Sequence, residues 1–326
     1  MVMLRPSYEV NLGSATVERG GTGDLVSVRV STDMDGRAGL CRVVLYADNP
    51  DLEFAVGDTF DVSLGYVDDT TKVFTGTIDS VVKEFAHIRV LALNSVAKLQ
   101  RFRTDKYFEN QTCGAIVSDL AGSANVSVGG VEDGVQLPFY AVDSAKNAHE
   151  HIVGLAGRCG HETYADAEDS LVFGPYEADA PKQFEYGKTV VSAARVDRDA
   201  IFGSVHVYGE SPSSSKGADA VHWLTKTPVD ATSGDGGALT IDDGAVRDAD
   251  TASSVGSSLL ALVTRNTFLE LRVVGDATVF LNDTVQLSGM TDESMNGDYQ
   301  VRGVEHAFAK TKGFITTLTL SGGSEE

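Results

Sequence analysis

The chain has 326 residues, of which 42% are hydrophobic and 8% aromatic, which suits two or three packed domains and excludes a generally disordered protein. Its 47 acidic and 26 basic residues give a net charge of −21, and no basic patch with interleaved aromatic residues occurs, which argues against affinity for DNA. No apolar run reaches the roughly 18 residues of a transmembrane helix, so we expect no membrane span.

The acidic residues are scattered along the chain, and two explanations fit them. An acidic surface stays hydrated in a high-salt cytoplasm, where charges are screened within about 3 Å at 1 M salt. Acidic residues would also line a conduit through which a polyanion passes without sticking. The even scatter favours the first explanation and predicts a halophilic host.

Residues 1–99 predict a β domain. The segment 25–30 alternates with period two and places Val26, Val28 and Val30 on one face. Further strands are predicted at 40–47, 60–66, 72–85 and 88–93, with breaks at 33–36, at Asn49-Pro50 and at 67–70.

Residues 100–188 predict a small α+β domain. Two amphipathic helices are expected, one that follows Gln111-Thr112 and ends near Gly122, and one capped by Ser144 and ended by Gly160. A hairpin is expected from strands at 162–165 and 170–173.

Residues 189–326 predict a second β domain. Its expected elements are a helix at 248–266 and strands at 201–209, 269–274, 284–289, 299–308 and 314–320. A polar, glycine-rich insertion at about 211–247 carries Trp223, the one tryptophan of the chain.

The two β domains resemble each other. Asp58-Thr59 and Asp283-Thr284 lie 225 positions apart, and the same offset places Phe74 on Tyr299. Each copy has a short strand opened by Asp-Thr, an acidic turn, a long strand, a tight return and a last strand. Two unrelated antiparallel domains would share some of these signals. A duplication instead predicts that three chains place six similar modules in a ring.

In this order of domains the chain resembles the tail hub family, which includes the baseplate hubs of contractile phages, the late-control D proteins and the N-terminal half of VgrG spikes. Three segments carry the resemblance: 74–78 (FTGTI), the junction from 91–94 (LALN) to Ile116-Val117, and 296–301 (NGDYQV). The insertion at 211–247 departs from a minimal tube module.

The resemblance implies a mainly β fold of two tail-tube-like antiparallel barrel or sandwich modules with an inserted α+β domain. It implies a trimeric, pseudo-sixfold structural hub at a virus tail tip or baseplate. The implied partners are further copies of the chain, the tail tube protein, a tip or spike protein and a tape-measure protein, with viral DNA passing through the lumen without specific binding. Residues expected in the strands that make ring contacts are Phe74, Thr75, Gly76, Ile78, Tyr299, Val301 and Val304.

No catalytic, cofactor or metal site is predicted. No HExxH motif is formed by His149, His151, Cys159 and His161. His149 and His151 are two residues apart on the expected helix, and residues at that spacing do not share a helix face. Three scattered cysteines favour small core residues over a disulfide or zinc site. The alternative functions are a carbohydrate- or receptor-binding protein that uses Trp223 and, with less support, a metal-dependent hydrolase.

Overall fold

The computed structural model describes residues 4–19, 25–34, 36–47, 52–67, 69–210 and 229–322. Within these ranges the chain is mostly β, and thirteen strands form one continuous sheet. Three smaller sheets and four α-helices complete the described part of the chain. The predicted fold class, mainly β with an inserted α+β region, is confirmed.

The first β region follows the alternation in its sequence. Its strands are β1 (Pro6–Leu12), β2 (Ala15–Glu18), β3 (Leu25–Asp33), β4 (Leu40–Tyr46), β5 (Thr59–Tyr66), β6 (Asp69–Lys83) and β7 (His87–Leu93). Alternate residues point into one core because successive side chains of a strand face opposite sides of the sheet. The fully buried rings of Phe60 and Phe74 lie in this core, 6.1 Å apart and edge to face.

The α+β region that follows has its own core. Its elements are α1 (Val96–Arg101), β8 (Lys106–Thr112), α2 (Cys113–Ser123), β9 (Val128–Val131), β10 (Gln136–Val142), α3 (Ala148–Cys159), β11 (Glu162–Ala165) and β12 (Leu171–Gly174). Ile116, Leu120, Ile152 and Leu155 of the two longer helices are fully buried against each other. Both predicted helices and the predicted β11–β12 hairpin are confirmed.

The prediction that Ser144 caps α3 is wrong. Asn147 is the cap: its side chain accepts a hydrogen bond from the Glu150 amide, and the Glu150 carboxylate accepts one from the Asn147 amide. This reciprocal pair satisfies two amides that would otherwise lack partners, which a serine three residues earlier cannot do. Gly160 ends the helix with a φ of 67°, as expected.

The last part of the chain forms a second β region and a side unit. Its elements are β13 (Lys182–Glu185), β14 (Val190–Asp197), β15 (Ser204–Gly209), β16 (Val229–Gly234), β17 (Ala238–Asp243), α4 (Ala249–Val263), β18 (Thr267–Val274), β19 (Thr284–Ser288), β20 (Gly297–Ala309) and β21 (Gly313–Gly322). Strands β15 to β17 form a separate sheet covered by α4. The predicted strand at 201–209 therefore lies in this side unit and not in the main sheet.

The main sheet joins the two β regions. Its strand order is β14-β18-β21-β20-β3-β4-β7-β6-β5-β1-β2, with β19 paired to β20 and β13 paired to β19. One antiparallel pairing, between β3 and β20, connects the two halves. We call this pairing the seam.

Candidate assembly surface

The two β regions have the same strand order. In the first it is β5-β6-β7-β4-β3, and in the second it is β19-β20-β21-β18-β14. All four neighbouring pairings are antiparallel in each region. We call these two five-strand sets the first and the second module. In this correspondence β3 matches β14 and β6 matches β20.

Two of the irregularities in strand pairing fall at matching positions in the two modules, whereas a third, at Val73 between β5 and β6, occurs only in the first. The pairing of β3 with β4 skips Val26, and the pairing of β14 with β18 skips Val191. Likewise β6 skips Asp79 against β7, and β20 skips Arg302 against β21. Each is a β-bulge, in which one strand holds an extra residue. The bulge also corrects the predicted face of β3, since Leu25 instead of Val26 joins Val28 and Val30 in the core.

The repeated Asp-Thr motif has the same role in both modules. The carboxylate of Asp58 accepts the Ala55 amide at 2.8 Å, and the carboxylate of Asp283 accepts the Phe280 amide at 2.7 Å. In both cases the aspartate holds the turn that leads into the short strand. The motif therefore marks a turn that the aspartate side chain stabilises by a hydrogen bond.

Strand pairing does not keep the single offset of 225 that the sequence suggests. Val62 pairs with Phe74 in the first module, whereas Leu287 pairs with Gly297 in the second. The hairpin between the paired residues is thus two residues shorter in the second copy. As a result Tyr299 corresponds to Gly76 by pairing, and its alignment with Phe74 is corrected.

Side chains from both modules meet at the seam. Ala307 lies opposite Arg29, and the buried ring of Phe308 in β20 lies 5.1 Å from the ring of Tyr8 in β1, which packs into the same core as the first module. Arg29 and Glu305 approach to 3.7 Å on the exposed side. Phe308 therefore belongs to the core of the first module although it comes from the second.

Within the two modules, two strand edges have no partner strand among the described residues. One is the edge of β6 beyond β5, from Asp79 to Lys83, where only β7 is paired. The other is the outer edge of β14, which pairs with no strand other than β18, although its first residue, Val190, forms an isolated bridge with Tyr186. Large apolar side chains are exposed at both: Val82 (52%) and Phe85 (104%) at the first, Val191 (50%) and Val196 (50%) at the second. Exposed apolar edges invite strand addition.

One face of the main sheet is open and forms a groove of about 800 Å³ across the seam. Arg29 of β3 lies directly opposite Arg42 of β4, and Arg89 of β7 follows one row away. The residues at the matching positions of the second module are Ala194, Glu270 and Thr317. Arg272 and Glu305 also line the groove on the side of the second module, so this face has a basic half and a half in which positive and negative charges are mixed.

The bulge residues of both long strands contact the α+β region. Asp79 accepts a hydrogen bond from Arg101 of α1 at 2.8 Å, in an exposed ion pair. Arg302 donates to Glu162 of β11 at 2.7 Å, in a buried one. The bulge residue of each module therefore makes an ion pair with the α+β region, and only the Arg302 pair is buried.

The residues predicted for ring contacts lie mostly inside the modules. Phe74 and Ile78 belong to the first core, and Tyr299, Val301 and Val304 belong to the second. Gly76 is buried where an added Cβ would lie 2.4 Å from the Leu93 carbonyl oxygen, and Thr75 is partly buried. Their role in a ring stays a prediction, and it would act through the edges of β6 and β20. The alternation pattern did not single out Val82, Phe85 or Val196, because it does not show which edges remain unpaired.

The remaining predicted positions do not form a site in the described ranges. Trp223 lies outside the described residues. No group of three His, Cys, Asp or Glu side chains in the described parts could hold a metal ion. His149 and His151 are both buried although they are two residues apart, because α3 is covered by α1, α2 and α4. Cys113 contacts Cys159, and the hydrogen bond between them together with burial raises the pKa of the Cys113 thiol.

None of the helices in these ranges is long and apolar enough to cross a membrane.

Comparisons with known proteins place this architecture. No family model matches the chain, and no curated protein matches its sequence. The tail protein from Neisseria meningitidis MC58 is similar in structure with a TM-score of 0.75 and 14% identity, over 98% of this chain and 97% of that one. The 43 kDa tail protein of prophage MuSo2 from Shewanella oneidensis gives 0.73 and 14%, over 97% and 98%.

A third similar structure comes from a secretion machine. The E. coli c3393 protein, described as a component of the type VI secretion system that resembles the T4 tail proteins gp27 and gp5, has a TM-score of 0.59 and 10% identity. The similarity covers 93% of this chain and 74% of that one. The chain therefore has the fold that phage tail proteins share with this type VI secretion component.

Proposed function

We propose that the protein is a structural component of a virus tail, the hub of the tail tip or baseplate. In this role three copies form a ring that joins the sixfold tail tube to a tip or spike protein and surrounds the path of the DNA. The fold shared with phage tail proteins supports the tail assignment.

The observation that carries the ring is the repetition of one module within the chain. Strand order, both bulges and the Asp-Thr turn recur in the two halves. A threefold assembly of such chains presents six similar modules, so one rim can match a sixfold tube while the chain as a whole keeps threefold symmetry.

The seam supports the same proposal. It shows that a first module and a second module can pair edge to edge, with side chains of one entering the core of the other. The open edges of β6 and β14 allow the same kind of pairing to continue between chains.

The open face of the sheet is the side that would line the channel. Its opposite face is filled by the cores of the two modules. Beside the three arginines of its basic half, the open face carries small and polar residues in rows that cross the seam, such as Ser27, Ser31, Thr317 and Thr319. A surface of this kind suits the passage of a polyanion without a specific site.

Light scattering coupled to size exclusion tests the ring at several salt concentrations. The expected mass is three times the 34.5 kDa of the chain. A monomer at every salt concentration would contradict the proposal. As a second result, we expect images of the assembled particle to show the chain at the junction between tube and tip.

A further inference from the structure

We propose that the ring closes by addition of β14 of one copy to the open edge of β6 in the next copy, in the register set by the seam. This inference rests on the trimeric ring proposed above and names the partner surface at residue level: a second copy of this chain.

The seam supplies the template. Strand β20 pairs with β19 through its first half and with β3 through its second half, on the same edge. Strand β6 pairs with β5 through its first half, but the same edge of its second half is open among the described residues. The strand that would fill it by analogy is the counterpart of β3, which is β14. Each copy thus has one docking edge and one free strand, so the contact is head to tail and can close a ring.

The bulges fix the register. At the seam Glu305, three residues beyond the bulge at Arg302, lies opposite Ser31, five residues beyond the bulge at Val26. The same count from Asp79 and Val191 places Val82 of one copy opposite Val196 of the next. Both valines are half exposed in the single chain and lie on the open face of the sheet. Paired β-branched residues on neighbouring strands stabilise a sheet, so this contact explains their exposure.

Phe85 supports the same joint. Phe85 follows the bulge at Asp79 by the same number of residues as Phe308 follows the bulge at Arg302. The two positions differ in that strand β6 has already ended in its turn at Phe85, whereas strand β20 is still paired with β21 at Phe308. Phe308 is buried across the seam, whereas Phe85 is fully exposed. The register brings Phe85 next to Ala193 of the neighbouring copy, which packs against the second core. An aromatic side chain that enters a neighbouring core is a typical anchor of an interface.

The joint should depend on salt more than the seam does. Its register sets Lys83 opposite Arg195, where the seam has the uncharged pair of His306 and Val30 at matching positions. Asp197, which accepts a hydrogen bond from Arg195 at 2.9 Å, lies diagonally from Lys83 and offsets part of the repulsion. Because salt screens the repulsion that remains, we expect the ring to be tighter at high salt.

Cysteine cross-linking tests the register in the full chain. The variant Val82→Cys/Val196→Cys should form covalent dimers and closed trimers on oxidation or with a short bifunctional thiol reagent, because directly opposite Cβ atoms are about 5 Å apart. The matched control is Val82→Cys/Val191→Cys. Val191 is equally exposed on the same strand but lies roughly 16 Å further along at about 3.3 Å per residue, so it should not cross-link. Each single variant reports the background from Cys41, Cys113 and Cys159.

The outcomes separate this joint from the ring itself. A covalent trimer only with the Val82 and Val196 pair supports the joint. A wild-type trimer in solution without that cross-link, or with equal cross-linking of the control, overturns the joint while the ring stands. Absence of any wild-type trimer overturns the ring and the joint together.

A second variant tests the anchor. Phe85→Ala should weaken trimer formation roughly tenfold or more, because it removes an aromatic ring from the centre of the contact. Tyr107→Ala removes another exposed ring, on β8 in the α+β region, and should leave the trimer unchanged. Equal effects of the two substitutions, or none from Phe85→Ala with the fold intact by circular dichroism, would count against the joint.

Discussion

The Arg302 guanidinium donates a hydrogen bond to the Glu162 carboxylate at 2.7 Å, and both side chains are more than nine-tenths buried. Arg265, which follows α4, donates to the same oxygen at 2.7 Å. Burial alone would raise the pKa of Glu162, but the charges and hydrogen bonds of Arg302 and then Arg265 hold it below its usual value. One carboxylate therefore joins the second module, the α+β region and the end of α4.

Loss of this carboxylate should destabilise the chain strongly. Glu162→Gln removes the negative charge that Glu162 places beside the buried Arg302, and breaking a buried pair costs roughly 3 to 5 kcal/mol. Thermal or urea unfolding would measure the loss. The matched control is Glu168→Gln, whose ion pair with Lys72 is exposed and should be worth about 1 kcal/mol or less. Equal losses for both would contradict the role of Glu162.

Much of the fold follows from sequence pattern, because alternation and capping are local. The helices at Thr112 and Asp248 and the β11–β12 hairpin were all predicted from residues close in sequence. Strand order is not local. No pattern shows that β3 pairs with β20 or that the second half of β6 stays open, so the seam and the two open edges could not be located.

The interior ion pairs were missed for the same reason. Glu162 and Arg302 are far apart in the chain, and neither lies in a motif. The sequence pattern also does not reveal the bulges. Val26 continues the apolar alternation of β3, although the pairing of β3 with β4 skips this residue. The repeated Asp-Thr motif could be found because it is local: in both copies the aspartate accepts a hydrogen bond from the backbone amide three residues earlier in the chain.

Acid should destabilise the chain through His306. Burial lowers the pKa of this histidine to about 4, although Asp276 and a hydrogen bond to Val279 act in the opposite direction. The folded chain holds it neutral, with a 3.0 Å hydrogen bond to Thr316, while the unfolded chain protonates it near pH 6.5. The unfolded state thus binds more protons between pH 6.5 and about 4, and stability falls as the pH is lowered through that window.

The size of this effect is on the order of 3 kcal/mol between the two ends of the window. His306→Gln has no titrating ring and should show a shallower loss between pH 6.5 and 4.5 in parallel urea titrations. Further loss below pH 4.5 should persist in this variant, because Glu162, whose pKa is lowered by folding, loses its contribution there. An unchanged slope in His306→Gln above pH 4.5 would contradict this account.

The two turn aspartates should be worth different amounts. Asp58→Ala removes the carboxylate that accepts the Ala55 amide, which should cost about 1 kcal/mol. Asp283→Ala removes the same hydrogen bond and an ion pair with Lys182 at 2.6 Å, so it should cost more. Unfolding of Lys182→Met and of the double variant would separate the two contributions. Asp199→Ala, an exposed aspartate in a loop, is the control that should change little.

The net charge of −21 predicts a dependence on salt. If the acidic surface is adapted to a high-salt host, the isolated protein should lose stability as salt falls below about 1 M, because carboxylate repulsion is then screened less. Melting temperatures across a sodium chloride series would measure it. Equal stability in dilute buffer would instead favour an acidic surface that serves the passage of a polyanion.

The opposed arginines of the open face should destabilise the chain in dilute buffer. Arg29 and Arg42 face each other on neighbouring strands, and like charges in this position cost roughly 0.2 to 1 kcal/mol. Arg42→Glu should therefore raise stability at low salt, with a gain that disappears in high salt. Arg37→Glu, at an exposed position between β3 and β4, makes the same change in net charge and should gain less. If both variants gain equally, the effect comes from net charge and not from the pair. If only Arg42→Glu gains stability, the chain keeps a destabilising arginine pair on the face that would line the channel. Loss of particle assembly or of DNA delivery in that variant would then show that the pair has a role in the tail.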